Sequence, residues 1–213
     1  MTQIPRRFQH VDFEKDIPKS IKDKFNDIRD TKKGLYLYGN VGVGKTHILY
    51  ALVKKWDELR TEEQEDKRDW EEKRTEARLE NREFNEKLTS KTRPNSHFWN
   101  MTQLLYEIRS AYGKKNDDYV GWSDNINSFS DYIIKGGGLY FIDDIGSEKV
   151  TEWVEEIVYL LINVRYEQTA PMIFSSNLSL SELAEKIGDR SASRIKEMCH
   201  IIKLDGEDRR LNI

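Results

Sequence analysis

Cysteine is almost missing from this chain of 213 residues, with Cys199 standing alone. One thiol excludes an internal disulfide framework and fits a reducing, cytoplasmic setting. No run is long and apolar enough to span a bilayer, and the opening Met1-Thr2-Gln3-Ile4-Pro5-Arg6-Arg7 lacks the apolar core of a secretory leader. No membrane partner is therefore expected. An excess of positive charge is missing too. The 35 Lys and Arg are outnumbered by 38 Asp and Glu, for a net charge of −3. No global basic field marks a nucleic-acid binder, so any such contact must use a local patch. Hydrophobic residues are scarce at 37% and charged ones plentiful at 34%. That surplus is local, and the remaining length suffices for one α/β domain with a core, or a domain plus an appendage.

The charge concentrates in residues 57–93, where apolar residues thin out to Leu59, Trp70, Ala77, Leu79, Phe84 and Leu88. Opposite charges recur at helical spacing (Glu63/Lys67, Asp69/Lys73, Glu83/Lys87), and the apolar positions keep no heptad. The pattern predicts an inserted, solvated helical arm, with a disordered charged loop as the competing reading. One straight helix over this stretch would run roughly 55 Å. The chain must return to its sheet, so a break is expected near Thr75–Asn81, making a helical hairpin. Around the arm, residues 34–56 and 94–213 read as one core of alternating strands and helices. Residues 1–33 form a leading segment, broken by Pro5 and Pro18, with a helix from about Ser20, a plausible N-cap, to Arg29. Strands are expected at 35–38, 96–101, 139–144, 171–177 and 201–204. Helices are expected after residue 45, over 102–109 and 151–168, from Ser179 or Ser181, and over 191–198. A further short helix is expected around 126–134. This alternation predicts a mainly parallel sheet with helices on both faces.

Chemistry enters at residues 39–46, Gly-Asn-Val-Gly-Val-Gly-Lys-Thr, which match the P-loop pattern G-x-x-x-x-G-K-[ST]. The match lies between an apolar strand and a helical pattern, where such a loop has to lie. Gly39 and Gly44 let the backbone wrap tightly around an anion. The amides of Gly39, Asn40, Val41, Gly42, Val43, Gly44, Lys45, Thr46 and His47 then form the expected phosphate cradle. Lys45 is placed to reach the β- and γ-phosphates of ATP, and Thr46 to ligate Mg²⁺. The second element is Leu139-Tyr140-Phe141-Ile142-Asp143-Asp144, a buried strand ending in acids at the edge where open α/β sheets bind ligands. Asp143 suits Mg²⁺, through water, and Asp144 suits polarisation of the attacking water. Asn177, at the end of the next apolar strand, is a candidate to orient that water, although Asn at a strand end is also ordinary turn chemistry. Arg190 and Arg194 share a helix face. Either an arginine donated to a neighbour's γ-phosphate or a surface ion pair accounts for them.

In this order the pieces resemble Walker A, Walker B, sensor 1 and the arginine-finger box of AAA+ ATPases. Gly44-Lys45-Thr46-His47, Asp143-Asp144-Ile145-Gly146 and Lys203-Leu204-Asp205-Gly206-Glu207-Asp208-Arg209-Arg210 are similar to the DnaC/DnaI helicase loaders and the related IstB transposition ATPases. Ile4-Pro5-Arg6-Arg7-Phe8 with Val11-Asp12-Phe13 resembles the stretch leading into their core. The resemblance implies a P-loop three-layer sandwich around a five-stranded parallel sheet. It places the sensor strand between the P-loop and Walker B strands and leaves the lid domain absent or minimal. It further implies slow ATP hydrolysis by an isolated subunit, and self-association through a shared site. Arg194 matches the trans-acting finger, with Arg190 second. The implied partners are a hexameric replicative helicase and single-stranded DNA. A transposase replaces the helicase on the IstB-like reading, and a third reading is an ATP-binding adaptor with vestigial hydrolysis. A small-molecule kinase competes least, because no arginine-bearing lid is visible. The family's extra helical element matches residues 102–135, where Arg109, Lys114 and Lys115 accompany Tyr112, Tyr119 and Trp122. Cations beside aromatic faces suit a single strand, and Asp117, Asp118 and Asp124 dilute the patch. The P-loop begins at residue 39, leaving little room ahead of it for a helicase-docking module. The charged arm is the candidate dock.

Overall fold

A computed structural model describes residues 2–80, 82–88, 92–113 and 137–208. Five strands form one sheet: β1 (Gly34–Tyr38), β2 (Asn95–Asn100), β3 (Gly138–Asp143), β4 (Met172–Ser176) and β5 (Cys199–Lys203). Every pairing is parallel and the order is β2-β3-β4-β1-β5. The strand carrying Asn177 at its end therefore lies between the P-loop strand and the acid-bearing strand, as the resemblance implies. β3 and β4 are buried along their whole length. Burial on both faces is why they read as continuous apolar runs rather than alternating ones.

The two-residue period of the strands divides the core in two. Tyr36, Tyr140, Ile142, Met172 and Phe174 face one layer. It is built from α5 (Met101–Gly113), α6 (Glu152–Glu167), α7 (Leu180–Ile187) and α8 (Asp189–Met198). Leu35, Leu37, Leu139, Phe141 and Ile173 face the other. That layer is built from α1 (Phe13–Asp16), α2 (Lys19–Asn26), α3 (Ile28–Thr31) and the first turns of α4 (Lys45–Leu79). Arg165 is 1% exposed beneath the sheet. Its guanidinium lies 3.9 Å from the Tyr140 ring and donates to the carbonyls of Gly138 and Pro171, tying together the starts of β3 and β4.

Several local expectations need correction. Ser20 does not cap a helix: α2 starts at Lys19 behind Pro18, whose fixed φ suits a helix entry, and gives way to α3 before Arg29. Of the two serines, Ser179 caps α7, through a full capping box with Glu182. The last strand begins two residues earlier than expected, at Cys199. The helix expected at 126–134 lies outside the described residues.

The arm departs most. α4 leaves the P-loop and continues unbroken to Leu79. Its end falls within the expected break, but the return limb over 82–88 is not helical. The reason is reach. Trp56 Nε1 donates to the carbonyl of Pro94 at 2.9 Å, which fixes the root of the arm. From Trp56 to Leu79 a helix climbs roughly 35 Å, while the residues from Glu80 to Pro94 as helix would descend only about 21 Å. Over residues 82–88 the chain is non-helical, with a longer reach per residue. It lies against α4 through an edge-on contact of Phe84 with Trp70 (centroids 5.5 Å apart) and a hydrogen bond from Trp70 Nε1 to the Glu86 carbonyl at 3.0 Å. At the root, Glu63 accepts from Arg29 at 2.7 Å, from Arg93 Nη1, and from the Arg93 amide at 2.6 Å.

Candidate functional site

Between β1 and α4 the backbone makes the turn that only glycine tolerates cheaply, with φ of 83° at Gly42 and 100° at Gly44. At Gly42 the missing side chain also leaves room for Asp208, whose carboxylate oxygen lies 1.8 Å from where a Cβ would stand. Val43 is buried under the loop, while Asn40 and Val41 face outward. Lys45 opens the helix and is 7% exposed. Its ammonium donates to the carbonyls of Gly39 at 2.8 Å and Asn40 at 2.7 Å, which holds it inside the loop. Thr46 Oγ1 donates to the Asp143 carboxylate, 3.1 Å from either oxygen. His47 lines the cavity here and reaches the leading segment, its Nε2 3.0 Å from Asp16.

Sheet order brings the other candidates to this place. Asp143 ends β3 and is buried. Burial pushes its pKa up, opposed by hydrogen bonds from Ser175 and Thr46; the neighbouring Asp144 adds to the rise and Lys45 counters it. Asp144 lies one residue beyond the strand in a left-handed conformation, φ 61°. This non-glycine strain aims its carboxylate along the sheet edge instead of into a continuing strand. Asn177 Nδ2 donates to Asp144 Oδ1 at 3.0 Å.

One residue that sequence reasoning missed organises the pair. Ser175 donates from Oγ to Asp143 and accepts the Asp144 amide at 2.9 Å, so one hydroxyl sets both acids. Its signal was two serines in an otherwise apolar strand, Met172-Ile173-Phe174-Ser175-Ser176. Glu148 was also missed. It is buried, which raises its pKa, and its carboxylate accepts the Gly146 amide at 3.1 Å, clamping the loop that follows Asp144.

A cavity of about 520 Å³ opens here, lined by Gly42, Gly44, Lys45, Thr46, Asp144, Ser175 and Asn177, with Arg7, Phe8 and His10 closing one side. Phe8 stacks on Tyr50 at 4.5 Å, which in turn stacks on Phe98 at 4.4 Å. The leading segment thus supplies an aromatic and cationic wall that spacing alone did not reveal. The donor set of Thr46 hydroxyl and Asp143 carboxylate is hard oxygen, the kind Mg²⁺ prefers. Among the described residues no cluster of three His, Cys, Asp or Glu forms a dedicated metal cage.

Arg190 and Arg194 are not among the residues lining this cavity. Arg194 lies against two rings, 5.1 Å from the Tyr159 centroid and 5.4 Å from that of Tyr166, and Arg190 is exposed. Of the residues expected at DNA, Arg109 is exposed with its guanidinium 4.7 Å from the Trp153 ring centroid. Lys114, Lys115, Tyr119 and Trp122 lie outside the described residues, and nothing is described of the Tyr112 side chain.

Comparison with solved structures identifies the architecture. The crystal structure of the DnaC helicase loader superposes with a TM-score of 0.64 at 20% identity, over 94% of this chain and 100% of that one. The replication initiator DnaA bound to AMPPCP and single-stranded DNA superposes at 0.61 with 14% identity, over 93% and 51%. In sequence, the replicative helicase loader DnaI of Bacillus subtilis (strain 168) is 27% identical over 95% of this chain. The chain has the fold of these proteins and is similar in sequence to that loader. It spans 53% of the length of that loader. No family model matches it. The stretches that resemble Walker B, sensor 1 and the arginine-finger box fall on β3, at the end of β4 and on α8. Among the described residues no helix is long and apolar enough to cross a membrane.

Proposed function

We propose that this loader-like chain binds and hydrolyses ATP with Mg²⁺, and uses the cycle to place a hexameric replicative helicase on single-stranded DNA. The observation that carries the chemistry is the convergence of Lys45, Thr46, Asp144 and Asn177 on one cavity, with the Asp143 carboxylate hydrogen-bonded to Thr46 behind it. The alignment with DnaI along nearly the whole chain supports the biological role.

In this reading Lys45 exchanges its carbonyl partners for phosphate oxygens, and the loop amides hold the remaining phosphate charge. Thr46 and Asp143 hold Mg²⁺, which when bound neutralises charge on the phosphates. Ser175 keeps the Asp143 carboxylate turned toward Thr46. Asp144, fixed through its amide by Ser175 and through its carboxylate by Asn177, orients the attacking water and takes up its proton. Arg194, at the position that resembles the arginine-finger box, reaches from one copy to the γ-phosphate held by the next. Single-stranded DNA is met by α5, where Arg109 stands beside Trp153 and Tyr106 is 72% exposed. The arm is the dock for the helicase.

A transfer assay tests the role. The purified chain is mixed with the host's hexameric replicative helicase and circular single-stranded DNA, and helicase retained on the circles is measured. ATP-dependent retention that disappears without the chain is expected. Equal retention with and without it rejects the loader reading.

A further inference from the structure

A second cavity, of about 540 Å³, opens between α6 and the corner joining α7 to α8. Four carboxylates line it, those of Glu152, Glu155, Glu156 and Asp189, against one guanidinium, that of Arg190. None of the four makes an ion pair among the described residues. Acids at the start of a helix are ordinary dipole chemistry. Ser191 is not ordinary: it lines the same cavity, is 1% exposed, and its hydroxyl has no hydrogen-bond partner. A buried hydroxyl left unsatisfied is unfavourable, and here it lacks a partner that the chain itself supplies.

Tyr159 belongs both to this cavity and to the ring pair carrying Arg194. Opposite charge stands at the other end of the molecule's chemistry. Arg6 and Arg7 are exposed and make no ion pair among the described residues, and Arg7 lines the nucleotide cavity. We propose that the acidic cavity is a socket for Arg6 and Arg7 of the adjacent copy of this chain. The inference rests on the shared-site reading and deepens it. An Arg194 that enters a neighbour's nucleotide cavity brings the groups beside it against that cavity's rim. A guanidinium offers five donors, enough to bridge carboxylates and also reach the Ser191 hydroxyl. The socket fixes the order of copies head to tail, because the acids and Arg7 line different cavities.

The test is self-association of the full chain with ATP and Mg²⁺, followed by sedimentation. Glu152→Lys with Glu156→Lys is expected to weaken association at least about tenfold, as is Arg6→Glu with Arg7→Glu. An equimolar mixture of the two reversed proteins is expected to recover association, since each then offers a face complementary to the other. The acid-reversed protein is expected to bind a fluorescent ATP analogue as wild type does, which shows its fold intact. Unaltered association after acid reversal, or no recovery on mixing, overturns the socket while leaving the shared site standing. A wild-type chain that binds nucleotide yet never associates overturns both.

Discussion

Ser175 is the residue on which the acids depend. Removing its hydroxyl leaves the Asp143 carboxylate and the Asp144 amide each short of a partner in a buried place. Ser175→Ala is expected to lower stability by about 1–3 kcal/mol and to slow phosphate release. Denaturant unfolding and a phosphate-release assay check this, and unchanged turnover would show that Asp144 needs no such support. Asp144→Asn is expected to retain nucleotide affinity while turnover falls by about 10²-fold or more, because an amide cannot take the proton of water. Full turnover would remove Asp144 from the chemistry. That Lys45, Thr46, Asp143 and Asp144 come together was legible in the sequence, because the P-loop pattern has a fixed spacing and an apolar run ending in acids marks a sheet edge. Ser175 and Glu148 were not, because a side chain that only orients another can come from any neighbouring strand or loop. Arg7, Phe8 and His10 were equally hidden as cavity walls, since their place depends on how the leading segment folds back.

At the scale of elements, strand periodicity and apolar runs located all five strands to within about two residues. The arm was legible in composition but not in shape. Its charge pattern is helical on both limbs, and reach, not propensity, leaves residues 82–88 without helix. Glu63 ties three segments together, and its carboxylate is the acceptor for Arg29 and for both the side chain and amide of Arg93. Glu63→Gln keeps the size and removes the charge. It is expected to cost about 1–3 kcal/mol and to raise amide exchange at the arm's root first. Uniform exchange across the chain would show the arm is not anchored there. The strands at the two edges make a prediction about pH. Burial and the charge of Arg165 hold the His97 pKa below its usual value, and burial with Lys24 and Lys33 does the same to His200. A depressed folded value means stability present above about pH 6.5 and lost as pH falls through the folded value. The unfolding midpoint is expected to drop between about pH 7.5 and 5.5, and less so in His97→Phe. An identical drop in that variant would assign the loss elsewhere.

For the whole molecule, sheet order does the assembling. Placing β4 between β1 and β3 carries Ser175 and Asn177 to the acids, and the left-handed turn at Asp144 keeps its carboxylate at the edge. The same order was foreseen through resemblance, not from periodicity, because a parallel sheet's order leaves no mark on any single strand. Arg194 is not among the residues lining the cavity it is proposed to serve, so on the proposed reading catalysis belongs to an assembly of copies. Arg194→Ala is expected to abolish turnover, and mixing it with Lys45→Ala subunits, which keep an intact Arg194, is expected to restore part of it. Absence of rescue argues against sharing. Everything rests on ATP occupying the loop between β1 and α4. The direct measurement is titration of a fluorescent ATP analogue with Mg²⁺ into wild type and Lys45→Ala. Saturable binding by wild type, lost in the variant with its fold intact, is the predicted result; equal affinity in the two proteins would contradict it.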